Sequence, residues 1–125
     1  MEDKIFFDQS IEIIKDLSPD VESLTLIDCP ELFEIHIPPH LTTLNIRNCP
    51  LRILPPLPST LRVLILEDCK ITALPSLKHT SLRIFCCKNT PIQTIPELPS
   101  TVEILNVEDI LMNQLTRIFT LIIDP

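Results

Sequence analysis

The sequence predicts a repeat solenoid, with parallel strands on a concave face, an extended or polyproline-like convex side, and few or no helices. Three observations carry that prediction. The first is a recurrence. Leu41, Leu44, Ile46, Cys49, Leu51, Leu54 and Leu57 return as Leu61, Leu64, Leu66, Cys69, Ile71, Leu74 and Leu77. They return again as Leu82, Phe85, Cys87, Thr90, Ile92, Ile95 and Leu98, at steps of 20 and then 21 residues. A fixed period of this length marks a stack of units, none of which can bury its apolar face alone. The second observation is Pro55-Pro56-Leu57-Pro58, Pro75 and Pro96-Glu97-Leu98-Pro99 between the recurrences. Proline has no N–H and fixes φ at about −65°, so these stretches run extended. The third is the length itself: a strand and two bends leave little room for a helix.

Taken in order, residues 1–20 form an incomplete first coil. A shift of 20 back from Leu26 and Cys29 puts Phe6 at a strand position and Gln9 at the corner after it. Lys4-Ile5-Phe6-Phe7-Asp8 is then the first strand. Ile11, Ile14 and Leu17 suit either the back of a coil or a short capping helix begun at Ser10, and both readings stand. Coil one runs through Val21, Leu24, Leu26 and Cys29, its return residues Leu32 and Ile35 displaced by one position. Coils two, three and four start at Leu41, Leu61 and Leu82. The extra residue of the longer step falls within Lys78-His79-Thr80-Ser81. Coil five, with Val102, Leu105, Val107 and Ile110, loses the proline pattern. A shortened return and a last strand over Ile118, Leu121 and Ile123 close the chain. The whole is one domain, 1–125: a half-coil or cap to 20, regular coils over 21–110, and the return with its terminal strand over 111–125.

Leu54-Pro55-Pro56-Leu57-Pro58-Ser59-Thr60-Leu61-Arg62-Val63-Leu64 and Ile95-Pro96-Glu97-Leu98-Pro99-Ser100-Thr101-Val102-Glu103-Ile104-Leu105 resemble leucine-rich repeats. They are closest in pattern to the short Leu-Pro-x-Leu-Pro subtype of secreted bacterial effectors. A weaker similarity runs to amoebal and giant-virus repeats with Ile-Pro-x-Ser-Val coils, whose paired Phe-Asn signature is missing. The resemblance covers about 21–110. Family members usually carry Asn where Cys29, Cys49, Cys69 and Thr90 stand here. The resemblance implies a leucine-rich repeat solenoid that binds protein, without the separate catalytic domain of effector ligases. It also implies a pathogen protein working in a host cytoplasm.

Composition narrows the function classes. The formal charge of −7 disfavours nucleic acid and anionic membranes and suits a basic protein partner. No apolar run reaches 18 residues, so no membrane span is expected, and the Met1-Glu2-Asp3-Lys4 opening has no leader pattern. Glycine is absent. That removes glycine-rich phosphate cradles, and it leaves Asn and Asp to serve any corner of positive φ. Asp28-Cys29-Pro30, Asn48-Cys49-Pro50 and Asn89-Thr90-Pro91 fill those corners. The Asp/Asn column they form is expected to bond turn amides rather than calcium, because no Asp-x-Asp-x-Asp loop is present.

The outward strand positions form columns. Val63, Ile65, Ile84, Cys86 and Ile104 make an apolar patch over coils three to five, rimmed by Arg62, Arg83, Glu67 and Lys88. An apolar centre with a charged rim is the anatomy of a protein-binding surface. The plainer reading is that β-branched residues simply suit strands. The clustering favours binding, since coils one and two offer Ser23, Thr25, Thr43 and Asn45 instead. Arg47, Glu67, Lys88 and Glu108 alternate in sign and predict cross-strand ion pairs.

No catalytic constellation emerges. Cys29, Cys49, Cys69 and Cys87 fall at inward positions, where a neutral thiol acts as a small hydrophobe, and Cys86 alone faces outward. Without a Cys-x-x-Cys pair, neither zinc nor a structural disulfide is expected. His36, His40 and His79 sit on the return side with no obvious carboxylate or thiol partner. The chain is thus expected to be a non-enzymatic protein-interaction module without cofactor or metal. Alternatives are a decoy for a longer receptor or ligase, and an assembly protein. For the latter, the edge formed by Phe119, Leu121, Ile122 and Ile123 would make a homodimer.

Overall fold

The computed structural model describes residues 2–107. Along the chain the strands are β1 Glu2–Phe7, β2 Ile13–Ile14, β3 Val21–Ile27, β4 Glu34–Ile35, β5 Thr43–Cys49, β6 Val63–Cys69, β7 Ile84–Lys88 and β8 Ile104–Val107. Six of them make one parallel sheet in the order β1-β3-β5-β6-β7-β8. No helix occurs among the described residues.

Each strand pairs with its neighbour one period away. Leu24 lies beside Leu44, Leu44 beside Leu64, Leu64 beside Phe85, and Phe85 beside Leu105. A single side chain of this kind gains about 1.5–3 kcal/mol only when fully buried. Here the same column above and below supplies the cover, so Leu24, Leu44, Leu64 and Phe85 have no exposure. The core continues to the return side through Leu51, Leu54, Leu57, Ile71, Leu77 and Ile92.

The corner at the end of β1, β3, β5, β6 and β7 adopts the left-handed conformation. Asp8, Asp28, Asn48, Asp68 and Asn89 all have φ between 50° and 55°. Asn and Asp are the non-glycine residues that tolerate this region best, which is how a chain without glycine turns the same corner five times. The side chains at these corners bond to one another instead of to turn amides, contrary to expectation. Asn48 Nδ2 donates to Asp28 Oδ1 at 2.7 Å, and Asn89 Nδ2 donates to Asp68 Oδ1. Stacking coils bring the two side chains closer to each other than to an available amide.

The corner before each strand is a tight turn. Leu61 N bonds to Pro58 O at 3.2 Å and Val102 N to Pro99 O at 3.4 Å. The hydroxyls of Thr60 and Thr101 reach the previous coil, donating to Leu41 O and Leu82 O at 2.8 and 2.6 Å. The coil with the extra residue solves the corner differently. Its turn closes earlier, with Thr80 N and Thr80 Oγ1 both on Leu77 O, and Thr80 is buried. His79 Nε2 donates to Leu57 O at 2.7 Å, and Ser81 Oγ donates to Ser59 O at 2.9 Å.

One structural choice left open by the sequence concerns the N-terminal end. Residues 10–17 contain β2, which pairs with β4 through Ile14 and Ile35, and no capping helix. The outermost strand is polar where inner strands are apolar. Lys4 takes the place of Leu24 in its column, stays exposed, and pairs with Glu2 at 3.6 Å. A terminal unit with polar residues over the core end keeps a repeat stack soluble. The expected terminal strand, with Phe119, Leu121, Ile122 and Ile123, lies outside the described residues.

Candidate protein-binding face

Strand pairing fixes the outward columns. Val63 stands beside Ile84 and Ile84 beside Ile104, while Ile65 stands beside Cys86 and Cys86 beside Asn106. Parallel neighbours are roughly 4.8 Å apart, so these aliphatic groups touch across the sheet. Val63, Ile65, Ile84 and Cys86 are half-buried, and Ile104 is 52 % exposed. In coils one and two the same columns hold Ser23 beside Thr43 and Thr25 beside Asn45. The apolar patch is therefore confined to β6, β7 and β8.

Charged side chains border it. Arg47 Nη1 lies 3.4 Å from Glu67 Oε2, and Arg47 Nε donates to Asn45 Oδ1 at 3.0 Å. On the other border Arg83 Nη2 donates to Glu103 Oε2 at 2.9 Å. That second pair, absent from the predicted alternation, joins two residues one coil apart at the start of the strands. Such exposed pairs are each worth about 0–1 kcal/mol, so they orient the rim more than they hold the fold. Arg62 is exposed beside Arg83, and Lys88 lies beside Glu67 in the sheet. The Glu108 of the expected alternation lies outside the described residues.

A second apolar group on the same face belongs to β1. Ile5 is 67 % exposed and pairs in register with Thr25, and Phe7 is 60 % exposed beside Ile27. The outward columns read from coil one onwards missed both. The 20-residue shift that places Phe6 with Leu26 also places Ile5 and Phe7 outward, so the signal was in the sequence.

The thiols are structural. The single S–H of Cys29 and of Cys49 is shared between two backbone carbonyls, one on the preceding coil (Phe6 O at 3.7 Å and Leu26 O at 3.6 Å) and one on its own strand (Ile27 O and Arg47 O). Cys thus meets carbonyls at the position where the resembled family usually has Asn. Cys87 shares a hydrogen bond with Thr90, the residue that takes this corner in coil four. Burial pushes the Cys49 thiol up to about 11 and raises those of Cys69 and Cys87. Thiols held protonated in this way are poor nucleophiles. No group of three or more His, Cys, Asp or Glu that could hold a metal occurs among the described residues. One histidine does have a carboxylate partner, contrary to the sequence reading. His36 Nε2 sits 2.6 Å from Glu34 Oε2 on β4, because alternation in an extended segment puts positions two apart on one side. Both are solvent-exposed on the return side.

The model for the family described as Leucine Rich Repeat matches residues 40–61, one coil that includes Cys49 and the Leu54-to-Pro58 segment. Comparison with curated proteins and with solved structures returned no match. The described residues form an all-parallel solenoid, consistent with the repeat that this one coil matches. A solenoid of this kind supports a generic role in protein–protein interaction.

Proposed function

We propose that this chain is a non-enzymatic protein-binding module and that β6, β7 and β8 present its docking surface. The observation that carries the reading is the register-locked block of Val63, Ile65, Ile84, Cys86 and Ile104, five neighbouring outward positions without a charge. Arg62, Arg83, Glu67 and Lys88 form the rim. Apolar centres of this kind supply most of an interface's energy, and rim charges set its specificity. Action as a pathogen protein in a host cytoplasm rests on the Leu-Pro-x-Leu-Pro resemblance alone. Self-association through Phe119, Leu121, Ile122 and Ile123 and the decoy role have no specific observation in their favour.

Cross-linking with the purified wild-type chain and with Ile65→Asp and Ile84→Asp tests the reading. A partner captured by the wild type should be lost with both variants while their circular dichroism is unchanged. Equal capture by folded variants would move the interface elsewhere.

A further inference from the structure

The charge of the chain is segregated. Residues 1–34 hold ten of the 17 Asp and Glu against only Lys4 and Lys15, whereas residues 35–125 hold seven against eight Lys and Arg. The apolar patch lies wholly in the second part, where the charges nearly balance. Four of its eight cations, Arg47, Arg62, Arg83 and Lys88, lie on the strand face. Arg47 is matched by Glu67, and Arg83 by Glu103. The Arg62 guanidinium has no hydrogen-bond or ion-pair partner among the described residues. It stands beside Arg83 in the sheet, a like-charge neighbour that costs stability. The two arginines, with Ser81, Ser100, Thr101 and Glu103, line an open cleft of about 460 Å³ at the start of the strands. Val63 and Ile84, the nearest members of the apolar patch, follow Arg62 and Arg83 directly in the chain.

Resting on the proposed binding face, we infer that the partner is a protein segment carrying a carboxylate beside apolar side chains. The carboxylate pairs with Arg62 in the cleft, and the apolar residues cover Val63, Ile84 and Ile104. An arginine fork suits a carboxylate in two-point contact. Ser100 is the cleft hydroxyl that can add a donor, because Ser81 and Thr101 already donate to Ser59 O and Leu82 O. The net charge of the whole chain points to a basic partner. In the cleft Arg62 is left unmatched while Arg83 already holds Glu103, which points to the reverse, and contact is decided there.

Selection of a random peptide library on the full chain tests this, with Arg62→Glu and Ile84→Asp as parallel baits. Peptides enriched on the wild type should carry Asp or Glu next to aliphatic or aromatic residues. They should bind Arg62→Glu about tenfold or more weaker, as a charge reversal in a partly desolvated contact implies. Selection on Arg62→Glu should bring Lys or Arg into that place. Neutral or basic peptides on the wild type, lost on Ile84→Asp but indifferent to Arg62→Glu, would overturn the acidic partner and leave the face standing. Indifference to both variants would overturn both. A light-scattering mass that rises with concentration and returns to monomer in Arg62→Glu would make the occupant the acidic end of a second copy, and would overturn the foreign segment.

Discussion

The strand side and the return side of this solenoid solve one problem in different ways. Both must satisfy every backbone group while the chain circles the core. The strand side does so by repetition, since six parallel strands exchange the same bonds at each step. The return side has prolines that cannot donate, and among the described residues it forms no sheet beyond the two-residue strands β2 and β4. Individual side chains fasten it instead: Thr60, His79, Thr80, Ser81 and Thr101 each take a particular carbonyl. The strand side rests mainly on backbone bonds that do not depend on the outward side chain, whereas the return side depends more on named residues.

The largest effect that could break this contrast is in the core. Phe85→Ala should cost about 3–5 kcal/mol in guanidinium unfolding, because its column is dry and close-packed. Leu74→Ala, at a half-buried position of the return side, should cost less than half as much. Equal losses would mean that the two sides share the core evenly.

The next effect concerns the thiols at the junction of the two sides. An unfolded Cys49 ionises near 9.0, and burial holds the folded group protonated to about 11. Between those values the unfolded chain has released a proton that the folded chain keeps, so stability falls as pH rises. It should be level below about pH 8 and then drop by at most about 1.4 kcal/mol per pH unit for this thiol. The raised thiols of Cys69 and Cys87 add to the drop. Cys49→Val should flatten the curve in part, and a wild-type curve level to pH 11 would show that the column is not dry.

The smallest effect sharpens the contrast. Thr60→Val keeps the shape but leaves Leu41 O without its donor, at a cost of about 1 kcal/mol. Amide exchange should quicken at that corner and remain unchanged in β5 and β6. Faster exchange throughout the sheet would show that the corner holds the whole stack.

How much of this was legible depends on what a period encodes. A repeat of 20 residues states which side chains stack, so Leu24, Leu44, Leu64 and Phe85, and the patch from Val63 to Ile104, could be placed from sequence. It also held Ile5 and Phe7, for a reader who carried the columns one coil further back. A period does not state which atom bonds to which. The Asp28–Asn48 and Asp68–Asn89 pairs, the Arg83–Glu103 bridge and the His36–Glu34 contact depend on side-chain reach at one place. Lys78 to Ser81 was legible as an irregularity only. That His79 and Ser81 tie the longer corner to Leu57 and Ser59 follows from geometry particular to that coil. The binding role of the patch belongs to neither source, because exposure and register describe a surface and not its occupant.

One regularity of the fastenings bears on how the molecule is made. Each side-chain donor that crosses between coils to a backbone carbonyl points backwards along the chain: Cys29 to Phe6, Thr42 to Glu22, Cys49 to Leu26, Thr60 to Leu41, His79 to Leu57, Ser81 to Ser59 and Thr101 to Leu82. The acceptor of each fastening therefore precedes its donor in the chain, so in synthesis from the N-terminus each of these donors is made after the carbonyl it will meet.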